Sequence, residues 1–373
     1  MAGMAAKQHF VVLDGLRGVA AVCVAVYHGT FIFGGKPLFA EAYLAVDFFF
    51  LLSGVVIARA YEDRLRAGRT HDYLVSRAIR LYPMIMIGAA LGAVFYATSP
   101  QARAFLSQWT VAGLYALALF SLPVLKENIF PPSHGITPLN IPSWSLFFEL
   151  FVNAVYGVIA KHLHTRRLGV LVLVSLIVEC VGIHHYHGAN FGFHIAEFWW
   201  GFPRVMFPFF AGVLLHRLMT AERLHGWFLP PSVLALLLIL TFAISTPSHP
   251  TLNAIVDLAD IALIYPAIIA LAMRARVHRL EGGILLWLGA LSYPLYIVHY
   301  PLFLWMARFL RASGMQGAAS AYVWIFAAII GSGALAVGIY YAYDIPVRAW
   351  LGRLAKPTFL RAHGLKDSTP TSL

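Results

Sequence analysis

Leu13-Asp14-Gly15-Leu16-Arg17-Gly18-Val19-Ala20-Ala21-Val22-Cys23-Val24-Ala25-Val26-Tyr27-His28 sets the terms for the rest of the chain. The run is apolar enough to enter a bilayer, yet it opens on Asp14 and Arg17 and holds His28 well inside. On an α-helix the step from Arg17 to His28 is about three turns, so the two side chains share nearly one face, about 16 Å apart along the axis. A cation and an imidazole aligned on one membrane helix are costly in lipid. Such groups line a protein interior or a wet cavity, and they mark function by default.

The same character extends through the sequence. Of 373 residues, 60% are hydrophobic and 12% are charged, against about 25% charged in a soluble domain. Apolar blocks recur at about 20 residues, the length that crosses a bilayer. The expected fold is an all-α integral membrane protein, about ten transmembrane helices in one bundle. They fall at 17–34, 43–60, 82–98, 145–160, 168–184, 203–217, 231–246, 254–273, 284–306 and 322–344. Residues 59–80 carry Arg59, Arg64, Arg66, Arg69, Arg77 and Arg80 and so belong on the cytoplasmic side. That places the N-terminus inside and His28 in the outer half of the first span.

Residues 107–123 are also apolar. If they crossed, roughly 12 of the 27 Lys and Arg would lie inside and 15 outside; if they dip in and return, roughly 21 lie inside and 6 outside. The positive-inside bias therefore favours a re-entrant segment, or one lying against the bundle, with both termini cytoplasmic. Residues 1–356 are expected to form one membrane domain, and 357–373 a basic, disordered cytoplasmic tail. The Pro- and Gly-rich connection from Pro123 to Pro142 reads as an external loop over an acceptor site. No secretory signal peptide is expected.

Several function classes drop out. The net charge of +11 is explained by cytoplasmic loops, so nucleic acid is not an expected partner. Cys23 and Cys180 lack metal spacing, and His184, His185, His187 and His194 lack a repeating ligand geometry. There is no phosphate-binding Gly loop and no Gly-x-Ser-x-Gly elbow.

The polar residues inside apolar spans are the candidates for chemistry. His28 suits a general base at neutral pH, or a nucleophile. Asp47 enters the second span from its outer end at about the depth of His28. Arg77 and Arg80 share a helix face at the start of the third span, and their planar donor forks suit phosphate. Ser145, Glu149 and Asn153 recur every four residues in the fourth span. Glu149 needs a partner there, either His28 or an acceptor hydroxyl. Trp144 suits stacking on a sugar ring or an interfacial belt. Arg204 is expected at the outer mouth of its span, paired with Glu149 or Asp47. Ser292, Tyr296 and His299 lie on one face of the ninth span. Ser53 and Gly54 read as close-packing residues.

These stretches resemble the acyltransferase 3 family, integral membrane proteins that move acyl groups onto sugars and similar acceptors. The resemblance rests on Arg17 and His28 with ten residues between them, and on Val46-Asp47-Phe48-Phe49-Phe50-Leu51-Leu52-Ser53-Gly54. It continues in Arg77 and Arg80 before Leu81-Tyr82-Pro83, in Trp144-Ser145-Leu146-Phe147-Phe148-Glu149, and in Arg204 to Gly212. Leu288-Gly289, Ser292-Tyr293, Tyr296 and His299 match closely, whereas Asp344-Ile345-Pro346 departs from the family's Glu-Arg-Pro.

The resemblance implies acyl-CoA-dependent O-acylation, most simply acetylation from acetyl-CoA. The implied acceptor is a carbohydrate such as exopolysaccharide, lipopolysaccharide or a glycosylated small molecule, and the implied location is a bacterial inner (plasma) membrane. Acyl-CoA is the co-substrate, with no bound cofactor and no metal; the partners are acyl-CoA, a carbohydrate acceptor and the lipid bilayer. The implied catalytic set is His28, Glu149 and Asp47. Arg17, Arg77, Arg80 and Tyr82 form the acyl-CoA set, and Trp144, Ser145, Arg204, Tyr296 and His299 the acceptor set. His28 stands either as base or as acyl carrier. A transporter or proton-coupled channel would use the same buried charges, and an acyltransferase working wholly on the cytoplasmic side is a further alternative.

Overall fold

A backbone inside a bilayer has no water to bond with, so each apolar block satisfies its own N–H and C=O groups by coiling into a helix. The computed structural model describes residues 2–126, 135–221, 229–244, 249–277, 279–315, 317 and 319–363. Among these residues there is no strand, and Gly135 and His194 form an isolated bridge. The helices are α1 (Ala2–Phe33), α2 (Ala45–Arg66), α3 (Thr70–Thr98), α4 (Gln108–Leu119), α5 (Trp144–Ile159), α6 (Thr165–Tyr186) and α7 (Gly201–Ala221). They continue with α8 (Pro231–Ala243), α9 (Pro250–Ala259), α10 (Tyr265–Ala272), α11 (Arg279–Ala312), α12 (Ala321–Ile339) and α13 (Ile345–His363).

Nine stretches among the described residues are long and apolar enough to cross a membrane. They coincide with nine of the expected spans, and the chain is an all-α multi-pass membrane bundle. The remaining expected span, 231–246, is the shorter apolar helix α8. Its 13 residues reach about 20 Å at 1.5 Å each, less than the roughly 30 Å hydrocarbon core. The ambiguous run 107–123 is the 12-residue α4, about 18 Å long and too short to cross. Leu106, Val111 and Leu114 pack it against Phe95, Tyr96 and Leu139, so it lies on the bundle. The loop expected to cover an acceptor site includes 127–134, outside the described residues. The backbone is helical to His363, within the tail expected from 357; residues 364–373 of that tail lie outside the described residues.

Two helix pairs approach at glycines. A Cβ on Gly18 would strike the backbone of Leu288, and one on Gly289 would strike Asp14, so α1 lies directly on α11. A Cβ on Gly54 or Gly212 would strike the carbonyl of Phe209 or Leu51, which brings α2 onto α7 in the same way. Helices in lipid gain little from hydrophobic burial against each other; close backbone contact supplies the attraction. The first pair sets His28 beside His299, and the second sets Asp47 beside Arg204.

Polar side chains repair the breaks in this framework. Pro301 inside α11 has no N–H to offer the carbonyl of Ile297, four residues earlier. Asn140 Nδ2 donates to that carbonyl instead, at 2.9 Å, and ties the segment before α5 to α11. Arg308 donates to the Thr98 hydroxyl at 3.0 Å and to its carbonyl at 2.9 Å, closing the end of α3.

Candidate active site

α1 and α11 pair at two depths. Near one end Arg17 Nε donates to Ser292 Oγ at 2.8 Å, and its Nη2 donates to the Gly289 carbonyl at 3.0 Å. About three turns further along, His28 Nδ1 lies 2.9 Å from His299 Nε2, with the rings 5.1 Å apart. The proton positions follow from the acceptor at the end of this chain. The Leu295 carbonyl, 3.0 Å from His299 Nδ1, accepts only, so Nδ1 carries a hydrogen and donates. Neutral His299 then has its lone pair on Nε2, and His28 Nδ1–H donates into it. The lone pair of His28 is left on Nε2, the nitrogen His299 does not use.

His299 is fully buried. His28 lies in the wall of a cavity of about 320 Å³ with Tyr27, Tyr43, Trp144, Asn190 and Arg204. An imidazole held in one tautomer by a second group, with its basic nitrogen on a cavity, is equipped to remove a proton or to attack a carbonyl. Protonation at Nε2 would leave the Nδ1–H···Nε2 bond in place and strengthen it, because its donor would then be charged.

This pairing corrects the expectation that a carboxylate supports His28. Asp47 is taken by Arg204. The guanidinium grips both carboxylate oxygens, Nε to Oδ1 at 3.0 Å and Nη2 to Oδ2 at 2.8 Å. Two more of its hydrogens go to the carbonyls of Phe191 at 2.6 Å and Tyr43 at 3.1 Å. Arg204 is 1% exposed and Asp47 0%, so Arg204 is not at an outer mouth. Trp144 lies with its ring 5.3 Å from the guanidinium and also faces the histidine cavity, so it is no belt residue. A bidentate pair neutralises both charges, and Asp47 lines neither cavity.

Glu149 also belongs elsewhere. A second cavity, of about 100 Å³, is walled by Arg17, Ser53, Arg77, Arg80, Glu149, Ser292 and Tyr293 among others. Arg77 Nη2 donates to Glu149 Oε1 at 2.8 Å, and Ser53 Oγ donates to the same oxygen at 3.1 Å. The long arginine arm reaches the carboxylate from α3, so Glu149 joins the cations instead of His28. Arg77 Nε is buried without a partner, and Arg80 is exposed on the same cavity. Neighbouring guanidinium forks with a donor to spare suit phosphate oxygens.

Tyr82 lines neither cavity; Tyr293 stands in the arginine cavity, its hydroxyl donating to the Leu81 carbonyl at 2.7 Å. Ser145, expected with the acceptor set, faces the arginine cavity. Tyr296 faces both. Three residues outside the expected sets contribute: Ser53, Ser292 and Tyr293. Ser292 carried a signal, since it lies seven residues before His299 on one helical face. Ser53 and Tyr293 carried a signal only as members of stretches that resemble the family.

Comparison with known proteins places the chain in a family. Residues 10–342 match the acyltransferase 3 family, described as an acyltransferase domain. The chain is 36% identical to protein 2 in the picA locus of Rhizobium radiobacter over 182 residues, 47% of this chain and 94% of that protein. No solved structure matches.

Proposed function

Since the chain belongs to the acyltransferase 3 family and is a membrane acyltransferase, we propose that it moves an acyl group from cytoplasmic acyl-CoA to a carbohydrate hydroxyl. The acyl group is most simply acetyl. The observation that carries this reading is the hydrogen-bond chain from Leu295 through His299 to His28, which leaves a basic nitrogen on the larger cavity. An acceptor hydroxyl in that cavity gives its proton to His28 Nε2, and its oxygen attacks the thioester carbonyl. The C–S bond breaks, and the departing thiolate takes the proton back as coenzyme A. The phosphates of the donor are held on Arg77 and Arg80, with Arg17 fixed nearby by Ser292. The arginine cavity faces the cytoplasm, in line with the six arginines of 59–80.

The test incubates purified protein with radiolabelled acetyl-CoA and a panel of oligosaccharides, then measures coenzyme A release and label in the sugar. Transfer that depends on both substrates is expected. Solute or proton flux through reconstituted vesicles, with no use of acetyl-CoA, would replace this reading with a transporter. Label on the protein that a sugar then removes would place the acyl group on His28 as an intermediate.

A further inference from the structure

The two cavities have different chemistry and a common wall. Arg17, Arg77 and Arg80 are on one side, and His28 is on the other, where the cation in the wall, Arg204, is paired with Asp47. Val46 and Tyr296 belong to both linings. Tyr296 is pinned. Its hydroxyl donates to the Pro142 carbonyl at 2.8 Å and lies in hydrogen-bond contact with Ser145 Oγ at 2.9 Å. The Tyr296 ring meets Phe49 edge-on at 5.8 Å. Turning it aside breaks two buried hydrogen bonds. Val46 is buried at the start of α2, in the turn that carries Asp47, and Arg204 anchors that turn.

We propose that Val46 and Tyr296 form an acyl-size filter between the donor and acceptor cavities, and that the group they admit is acetyl rather than a longer acyl chain. The inference rests on the reading above. A donor whose phosphates lie on Arg77 and Arg80 approaches the wall with its acyl tail leading. The thioester carbonyl reaches the acceptor only after the tail has passed between Val46 and the fixed Tyr296 ring. The C–S bond then breaks, a C–O bond to the acceptor forms, and the hydroxyl proton travels by way of His28 to the thiolate. The wall acts on the tail and leaves the phosphates untouched, so it discriminates in turnover and not in binding. A single methylene in a tight apolar passage changes the rate ratio by about tenfold or more.

The experiment compares the native protein, Val46→Ala and Tyr296→Phe with acetyl-, propionyl- and butyryl-CoA. It reads coenzyme A release and, on the same samples, the affinity for each thioester. A thermal melt confirms that each variant is folded. For the native protein, acetyl is expected to outpace butyryl by tenfold or more at similar affinities. Val46→Ala is expected to raise the butyryl-to-acetyl ratio about tenfold. Tyr296→Phe, which keeps the ring but removes its anchors, is expected to raise it less. An active native protein with folded variants and ratios within twofold of native overturns the filter and leaves the acyltransferase reading standing. A native protein that turns over none of the three thioesters overturns both.

Discussion

Asp47–Arg204 and Glu149–Arg77 are both arginine–carboxylate pairs among apolar helices, yet they are built differently. In the first, Nε, Nη1 and Nη2 of the guanidinium are all engaged, the pair is buried at 1% and 0% exposure, and its carboxylate lines neither cavity. In the second, one nitrogen meets one oxygen, the Nε–H of Arg77 is unused, and both residues stand in a cavity wall. Taking charges out of water is expensive and is offset only when every donor and acceptor is met. A pair whose three nitrogens and two carboxylate oxygens are all engaged fixes α7 on α2. A pair left incomplete beside a second arginine has donors for a ligand.

The largest effect that tests this contrast is on the sealed pair. Asp47→Ala leaves Arg204 buried without its counter-ion, which is expected to destabilise the protein by about 3–5 kcal/mol. A melt in detergent reads this as a large drop in midpoint, or as failure to recover folded protein. A midpoint close to native would place Asp47 with the ligand-binding groups after all. Next is the open pair. Arg77→Ala is expected to fold and to lose a charge-assisted contact of about 1.5–3 kcal/mol with the donor. Titration with coenzyme A then shows affinity about ten- to a hundredfold weaker; native affinity would remove the phosphate role. The smallest effect is at Ser53. Ser53→Ala removes one hydrogen bond to Glu149, worth about 0.5–1.5 kcal/mol. It should move the midpoint slightly; a loss as large as that of Asp47→Ala would erase the distinction between the pairs.

How much of this was legible in the sequence follows from what each feature depends on. Spans are a property of local composition, and helices form where the apolar blocks predicted them. The charge count kept 107–123 from being read as a crossing, and α4 lies on the bundle. Hydropathy alone did not mark α8 as short, because its residues are as apolar as those of a full span. Within the site, the polar residues themselves stood out from their apolar surroundings, but their partners did not. His28 and His299 are 271 positions apart, and Arg204 and Asp47 are 157 apart. Helical spacing gives the face a residue occupies on its own helix. Which neighbour that face meets is decided by packing at glycines such as Gly18, Gly54, Gly212 and Gly289. Glu149 shows the consequence. Depth along its span suggested His28, whereas Arg77 reaches it from α3.

On the proposed reading, His28 does the chemistry and the arginine cavity does the holding. The most direct test measures acetyl-CoA turnover and coenzyme A affinity on the same preparations of native protein and His28→Ala. Removal of a positioned acid–base group lowers turnover by about 10²–10⁴-fold, and that loss is expected with affinity within about twofold of native, since Arg77 and Arg80 are untouched. Turnover within a few-fold of native in the folded variant would contradict it.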